Sequence, residues 1–250
     1  MKLNAAESQP LIQYPRRQTI RSLLRAGIRL VLPLVADVEV VGRENMPQKG
    51  PLLVVSNHFS FLDPVALIKI TDWPMEFIGG VRRPNAPALV NWFPDAWGIL
   101  PAYRGSVARG TILASKSALA QGGVLVIFPE GGSWATVLRP PRPGAAFLST
   151  VCNAPILPVG LNGLTEVFPK LRKGKRARVH IEIGKPFGPF FVSERGETNR
   201  SRLEEIGNEM MRRIAELISP AQRGFYSDNP TIREAAKGTE IYPWAEKPEL

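Results

Sequence analysis

Leu52-Leu53-Val54-Val55-Ser56-Asn57-His58-Phe59-Ser60-Phe61-Leu62-Asp63-Pro64 changes character twice along its length. The apolar, partly β-branched run at 52–55, with Pro51 before it, has the composition of a buried strand. A polar pair, Asn57-His58, follows, and the segment closes on Asp63-Pro64. Proline disfavours right-handed helical backbone at the residue before it and fits the first turn of a helix, so a helix starts here with Asp63 as its N-cap. Strand, turn and helix in that order open an α/β unit. The turn leaves the C-terminal end of the strand, where open α/β sheets gather ligands. On a straight helix, side chains five positions apart point in different directions. Across a bent strand-turn-helix path, His58 and Asp63 can meet. A carboxylate beside an imidazole holds one ring nitrogen, stabilises the imidazolium and leaves the other nitrogen as a general base. The spacing alone also allows a plainer use of Asp63, as a helix cap, since His-x4-Asp recurs by chance.

Farther along, two more apolar segments run into charged residues. Residues 98–101 lead to Ala102-Tyr103-Arg104-Gly105, and residues 124–128 lead to Pro129-Glu130-Gly131-Gly132-Ser133-Trp134. Between them, 107–121 has helical spacing and stops at Gly122-Gly123. Shorter strands read at 38–41 and 75–79, helices at 64–70, from 86 and at 145–152, and a proline-edged strand at 154–160. Residues 178–183 alternate, with His180 on the polar side as an ordinary exposed strand histidine. Ser201-x-x-Glu204 reads as a capping box opening a helix with Leu203, Ile206, Met210, Ile214 and Leu217 on one stripe. Strands alternating with helices predict a single α/β domain at 36–220, its mainly parallel or mixed sheet flanked by helices. An arm and amphipathic helix (1–35) precede it and an irregular tail (221–250) follows. A base, a cation and a carboxylate at three strand ends predict one shared site.

Lys and Arg outnumber Asp and Glu by 32 to 22 over 250 residues, a formal net charge of +10. That excess favours an anionic partner: a membrane surface, a phosphorylated substrate or nucleic acid. A single cysteine, Cys152, excludes an internal disulfide and any multi-cysteine zinc site, and two histidines leave little for a histidine-based one. Cys152 lies in an apolar segment with no base nearby in sequence, as a buried structural thiol does. No run reaches the ~18 apolar residues of a membrane span, and no signal-peptide pattern is present. In the helix read at 19–34, Arg21, Arg25 and Arg29 share one face, while Ile20, Leu23, Leu24, Ile28, Val31 and Leu32 fill the other. Such a helix can lie in a membrane interface with its arginines toward anionic head groups, or pack as a surface helix on its own domain.

Four segments, in order, resemble the motifs of the glycerolipid acyltransferases, whose best-known members act on lysophosphatidic acid (1-acylglycerol-3-phosphate). Asn57-His58-Phe59-Ser60-Phe61-Leu62-Asp63 is similar to the first, Gly98-Ile99-Leu100-Pro101-Ala102-Tyr103-Arg104-Gly105 to the second, Phe128-Pro129-Glu130-Gly131 to the start of the third, and Pro155-Ile156-Leu157-Pro158-Val159 to the fourth. Each alone is a weak signal, but four in order are a strong one. Gly132-Ser133-Trp134 stands where the family has Thr-Arg-Ser, so the third-motif arginine is absent, with Arg139 and Arg142 as replacement charges.

The resemblance implies transfer of a fatty acyl group from a thioester, acyl-CoA or acyl carrier protein, to the hydroxyl of a lysophospholipid in phospholipid biosynthesis. It implies a peripheral protein at the cytoplasmic face of a membrane, with no nucleic-acid partner, no metal and no cofactor beyond the thioester co-substrate. His58 and Asp63 would be catalytic, and Asn57, Arg104, Gly105, Glu130, Gly131 and Pro158 substrate-binding. Two other readings stay open: transfer to a different lipid acceptor, and a basic binding protein without catalysis. A serine hydrolase would need Gly-x-Ser-x-Gly, which the chain lacks.

Overall fold

Every residue of β2 (Leu52–Ser56) and β5 (Val124–Ile127) is buried, as happens only in strands covered by helices on both faces. A computed structural model of the chain describes residues 11–81, 90–102, 109–191 and 197–244. Among them is a seven-stranded sheet in the order β1-β7-β6-β2-β5-β3-β4. The remaining strands are β1 (Ala36–Val41), β3 (Glu76–Gly80), β4 (Leu100–Ala102), β6 (Ile156–Asn162) and β7 (Ala177–Ile183). β2 runs parallel to both β5 and β6, β3 lies parallel to β5 and β4, and β1 to β7. β6 and β7 are antiparallel, so the sheet is mixed. That single reversal means β1 and β7 begin on the edge where β2 and β6 end.

Alternation along the strands sorts the core into two layers. Leu52 and Val54 face one cluster with Ile28 and Leu32 of α1 (Gln18–Val35), Leu67 of α2 (Asp63–Ile70) and Trp97 of α3 (Trp92–Trp97). Leu53 and Val55 face the other, with Leu119 of α4 (Arg109–Ala120), Leu148 of α5 (Pro143–Cys152) and Met210 of α7 (Glu197–Glu216). The short α6 (Val167–Leu171) leads into β7.

Three expectations need correction. The basic face of α1 packs on its own domain, buried at Arg21, partly buried at Arg25 and exposed at Arg29. Arg21 is buried, holds both oxygens of the buried Glu76 at 2.8 and 2.9 Å, and donates through Nε to the Trp97 carbonyl. Arg25 donates to the Trp73 carbonyl at 2.5 Å and Arg29 to Asp72 at 2.6 Å. A buried carboxylate requires a paired cation, and Glu76 supplies that requirement from a distant strand. The capping box lies inside α7, which begins at Glu197; Arg200 pairs with Glu204 at 3.6 Å across the turn that the box was expected to open. The tail is regular in part. It forms 3-10 turns at Pro220–Gln222 and Gly224–Tyr226, then α8 (Pro230–Ala236), capped by the Asn229 side chain accepting from the Thr231 N–H at 2.9 Å. This segment straps the loop after β5: the Leu138 N–H donates to the Gln222 carbonyl, the Phe225 N–H to the Leu138 carbonyl, and Trp134 Nε1 to the Thr239 carbonyl. No helix among the described residues is long and apolar enough to cross a membrane.

Candidate active site

Where β2 ends, Asn57 clasps the neighbouring strand. Its Nδ2 donates to the Leu161 carbonyl at 2.9 Å and its Oδ1 accepts the Leu161 N–H at 2.8 Å. Buried and doubly bonded to backbone, Asn57 fixes the path of the loop rather than meeting substrate. The next residue, His58, is half-buried, and its Nδ1 lies 2.9 Å from Asp63 Oδ2. The same oxygen accepts the N–H groups of Phe59 and Ser60, each at 2.8 Å. Asp63 is therefore not an N-cap. It is the first residue of α2, the cap position falls on Leu62, and the carboxylate points back into the loop. Burial raises the Asp63 carboxyl above its ordinary range, while His58 and the two backbone donors lower it. An acceptor-only carboxylate sets the imidazole tautomer: Nδ1 carries the proton and Nε2 keeps its lone pair.

The strand beside β2 supports this pair from below. The His58 ring stacks on Phe128, centroids 4.1 Å apart and planes 19° apart. Glu130 Oε1 accepts the His58 backbone N–H at 2.8 Å. Glu130 Oε2 faces Arg139, 3.2 Å from Nε and 3.3 Å from the backbone nitrogen. The Arg139 guanidinium lies 3.7 Å over the Trp134 ring and also donates to the Gly132 carbonyl. Burial pushes the Glu130 carboxyl up to about 8, against the pull of Arg139 and two backbone donors. With both oxygens taken up by the protein, Glu130 is a support of the His58 main chain rather than a group open to substrate.

A protein-family model described as Acyltransferase matches residues 37–162. The chain belongs to the acyltransferase family. The matched span runs through β1 to β6 and contains the His58–Asp63 pair and Glu130. In fold, this acyltransferase is similar to the crystal structure of the 1-acyl-sn-glycerophosphate (LPA) acyltransferase PlsC from Thermotoga maritima. The TM-score is 0.53 at 22% identity, covering 78% of this chain and 82% of that one. No curated protein matches the chain.

Other expected site residues of the acyltransferase are spread more widely. Gly131 is exposed beside Glu130 at a positive φ of 76°, and a Cβ there would stand 3.0 Å from Arg142 Cγ. Only glycine takes that backbone freely. Arg142 is exposed at the start of α5, whereas Arg139 is turned inward, so of the two replacement charges only Arg142 faces solvent. Pro158 is buried mid-strand in β6, level with Val55 and three residues short of His58, away from the loop where the base sits. Arg104 and Gly105 lie outside the described residues. Cys152 is partly buried, and burial pushes its thiol up to about 11, which leaves it protonated and unreactive. Sequence reasoning missed two contributors: Phe128 as the stacking partner of His58, and Arg139 as the counter-charge of Glu130. Phe128 precedes Pro129-Glu130 directly, so its proximity was readable; its stacking was not.

Proposed function

We propose that this acyltransferase moves a fatty acyl group from a thioester, acyl-CoA or acyl carrier protein, to the free hydroxyl of a lysophospholipid in phospholipid biosynthesis. The first acceptor to test is 1-acylglycerol-3-phosphate, the substrate named for the Thermotoga protein of similar fold. The observation that carries the reading is the His58 Nδ1–Asp63 contact, with Asp63 held by two further N–H donors. An alcohol is a poor nucleophile until a base removes its proton, and neutral imidazole suits that task near pH 7. Nε2 takes the hydroxyl proton as the oxygen attacks the thioester carbonyl. Asp63 stabilises the imidazolium that results. Collapse of the tetrahedral intermediate breaks the C–S bond, and the thiolate leaves with the proton returned from Nε2. Phe128 restricts the tilt of the ring and Glu130 the position of its backbone. This chemistry needs no covalent acyl-enzyme, metal or cofactor. A lipid acceptor would place the protein peripherally on the cytoplasmic face of a membrane.

The test is a labelled acyl-CoA presented with lysophosphatidic acid, the products read by lipid mass spectrometry. A new diacyl lipid with stoichiometric thiol release is expected. Thioester loss that is independent of acceptor would point to hydrolysis and overturn the transfer reading. A second reading, transfer to a different lipid acceptor, rests on the missing third-motif arginine: Arg139 is buried against Glu130 and cannot replace it, and of the two replacement charges only Arg142 faces solvent. Including lysophospholipids with other head groups in the same screen separates the two.

A further inference from the structure

The loop from Pro129 to Arg142 has no helix or strand of its own, yet it carries Glu130 and Arg139, which together hold the backbone of His58. Its base is closed by the Arg142 N–H donating to the Pro129 carbonyl at 2.7 Å. Its far side rests on Trp134. The buried Arg139 guanidinium meets Glu130, the Gly132 carbonyl and, 3.7 Å away, the face of the Trp134 ring. A guanidinium out of water keeps one direction only where acceptors and a π face meet it. The ring also excludes a larger residue at 132, since a Cβ on Gly132 would collide with it. Gly132 and Trp134 are thus a matched pair: the small residue makes the room that the large one fills.

The C-terminal segment holds Trp134 in turn. The indole Nε1 donates to the Thr239 carbonyl at 2.8 Å, and Tyr242 packs edge-on against the ring, centroids 5.4 Å apart and planes 78° apart. Trp244 packs on Tyr242 at 5.2 Å. Thr239 is fixed to the end of α8, its N–H and hydroxyl donating to the Ala236 carbonyl at 3.1 and 2.7 Å, and Ala236 is buried. A continuous run of contacts therefore leads from α8 through Trp134, Arg139 and Glu130 to the main chain of His58. Packed side chains and hydrogen bonds joined in this way are the physical carriers of coupling between distant positions.

We propose that Trp134 is a positioning residue for acyl transfer: pinned by the C-terminal segment, its ring aims the Arg139 guanidinium at Glu130, and Glu130 sets the main chain of His58. This deepens the reading above and rests on His58 as its base. Trp134 acts through Arg139 and not on substrate, so it governs the rate of the chemical step and leaves donor and acceptor binding alone. A general base works only within hydrogen-bond reach of the proton it takes, and a small displacement caused from a distance is costly.

The experiment compares the full-length wild type with Trp134→Leu, Trp134→Phe and Tyr242→Ala. Leucine removes both the π face and the Nε1 donor; phenylalanine keeps a face for Arg139 and loses only the donor. One readout is kcat and KM for acyl-CoA and lysophosphatidic acid. The other is the backbone amide spectrum of untagged protein carrying isotope-labelled histidine. The chain has two histidines, so the spectrum holds the His58 amide, bonded to Glu130, and that of His180 on β7 as an internal control. Trp134→Leu should lower kcat about tenfold or more, with both KM values within about twofold of wild type. Its His58 signal should shift and exchange faster with solvent while His180 stays. Trp134→Phe should restore most of the rate and the wild-type His58 signal, and Tyr242→Ala should fall between the two. A wild-type kcat and an unmoved His58 signal in Trp134→Leu would overturn the proposal. So would a raised acceptor KM at unchanged kcat, which would put Trp134 in the acceptor pocket. Should Trp134→Leu fail to fold, the same outcomes are read on Tyr242→Ala. The amide signals require no turnover, so a failed acyl-transfer assay beside a shifted His58 signal refutes the proposed function and leaves the link from Trp134 to His58 standing.

Discussion

Glu130 Oε1 lies 2.8 Å from the backbone nitrogen of His58. The carboxylate that follows β5 thus holds the main chain of the base that follows β2, two strands adjacent in the sheet. Asp63 sets the ring from one side and Glu130 sets the backbone from the other, so the base is fixed at two points by two buried acids.

Replacing His58 by alanine removes the base without touching either acid's backbone bonds. Turnover should fall roughly 10²-fold or more while the unfolding midpoint stays near wild type. A steady-state rate measurement on the folded variant is the check, and a near wild-type rate would reassign the base.

Arg139 should matter to stability more than any exposed arginine. Above a pH of about 8, where Glu130 is ionised, Arg139→Met leaves it buried without its cation, a change that costs about 3–5 kcal/mol when a buried pair is broken. The double variant Glu130→Gln/Arg139→Met should recover a good part of that loss. Urea unfolding of the two single variants and the double variant gives the coupling directly; additive losses would show that the pair is not coupled.

Glu130 also predicts a pH dependence with a definite sign. Its folded-state carboxyl is raised to about 8 by burial, whereas the unfolded chain releases that proton at the usual ~4.3 of a glutamate. The bound proton therefore contributes stability that is complete below the unfolded value and is lost as pH rises toward 8. The slope from one such group is at most about 1.4 kcal/mol per pH unit. Subtracting the stability curve of Glu130→Gln from that of wild type isolates it, and a flat difference between pH 5 and 8 (about the window set by these values) would count against the raised carboxyl.

Within α1 the arginines should separate by depth. Arg21→Gln leaves the buried Glu76 with only the partly exposed Arg16 as counter-charge and should cost up to about 3–5 kcal/mol, the range for breaking a buried pair. Arg29→Gln removes a pair with exposed Asp72 and should cost about 0–1 kcal/mol. Comparing denaturant midpoints of the two variants decides whether the basic face is internal; equal small losses would return it to the surface.

The sheet was legible because its strands are short apolar runs bounded by proline and glycine, and the His58–Asp63 meeting because strand, turn and helix are all marked within one segment. What could not be read depends on contacts between distant residues. Periodicity shows that α1 has two unlike faces but not which goes inside; Glu76 on β3 decides that. The partner of Glu130 sits nine residues on, beyond a loop whose return path is set by Gln222, Phe225 and Thr239. Asp63 carries every mark of a helix cap, and only the tight loop before it turns the carboxylate backward.

The strap across residue 138 gives the active site an order of assembly. During synthesis the chain emerges from its N-terminus, so all seven described strands and the His58–Asp63 loop emerge before Gln222, Phe225 and Thr239. The loop carrying Arg139 is fastened only when those later residues arrive. A nascent chain stopped after β7 would still lack Met210 and Ile214 of α7, which fill the second core layer behind β2, as well as the strap, which makes full competence one of the last properties the ribosome confers.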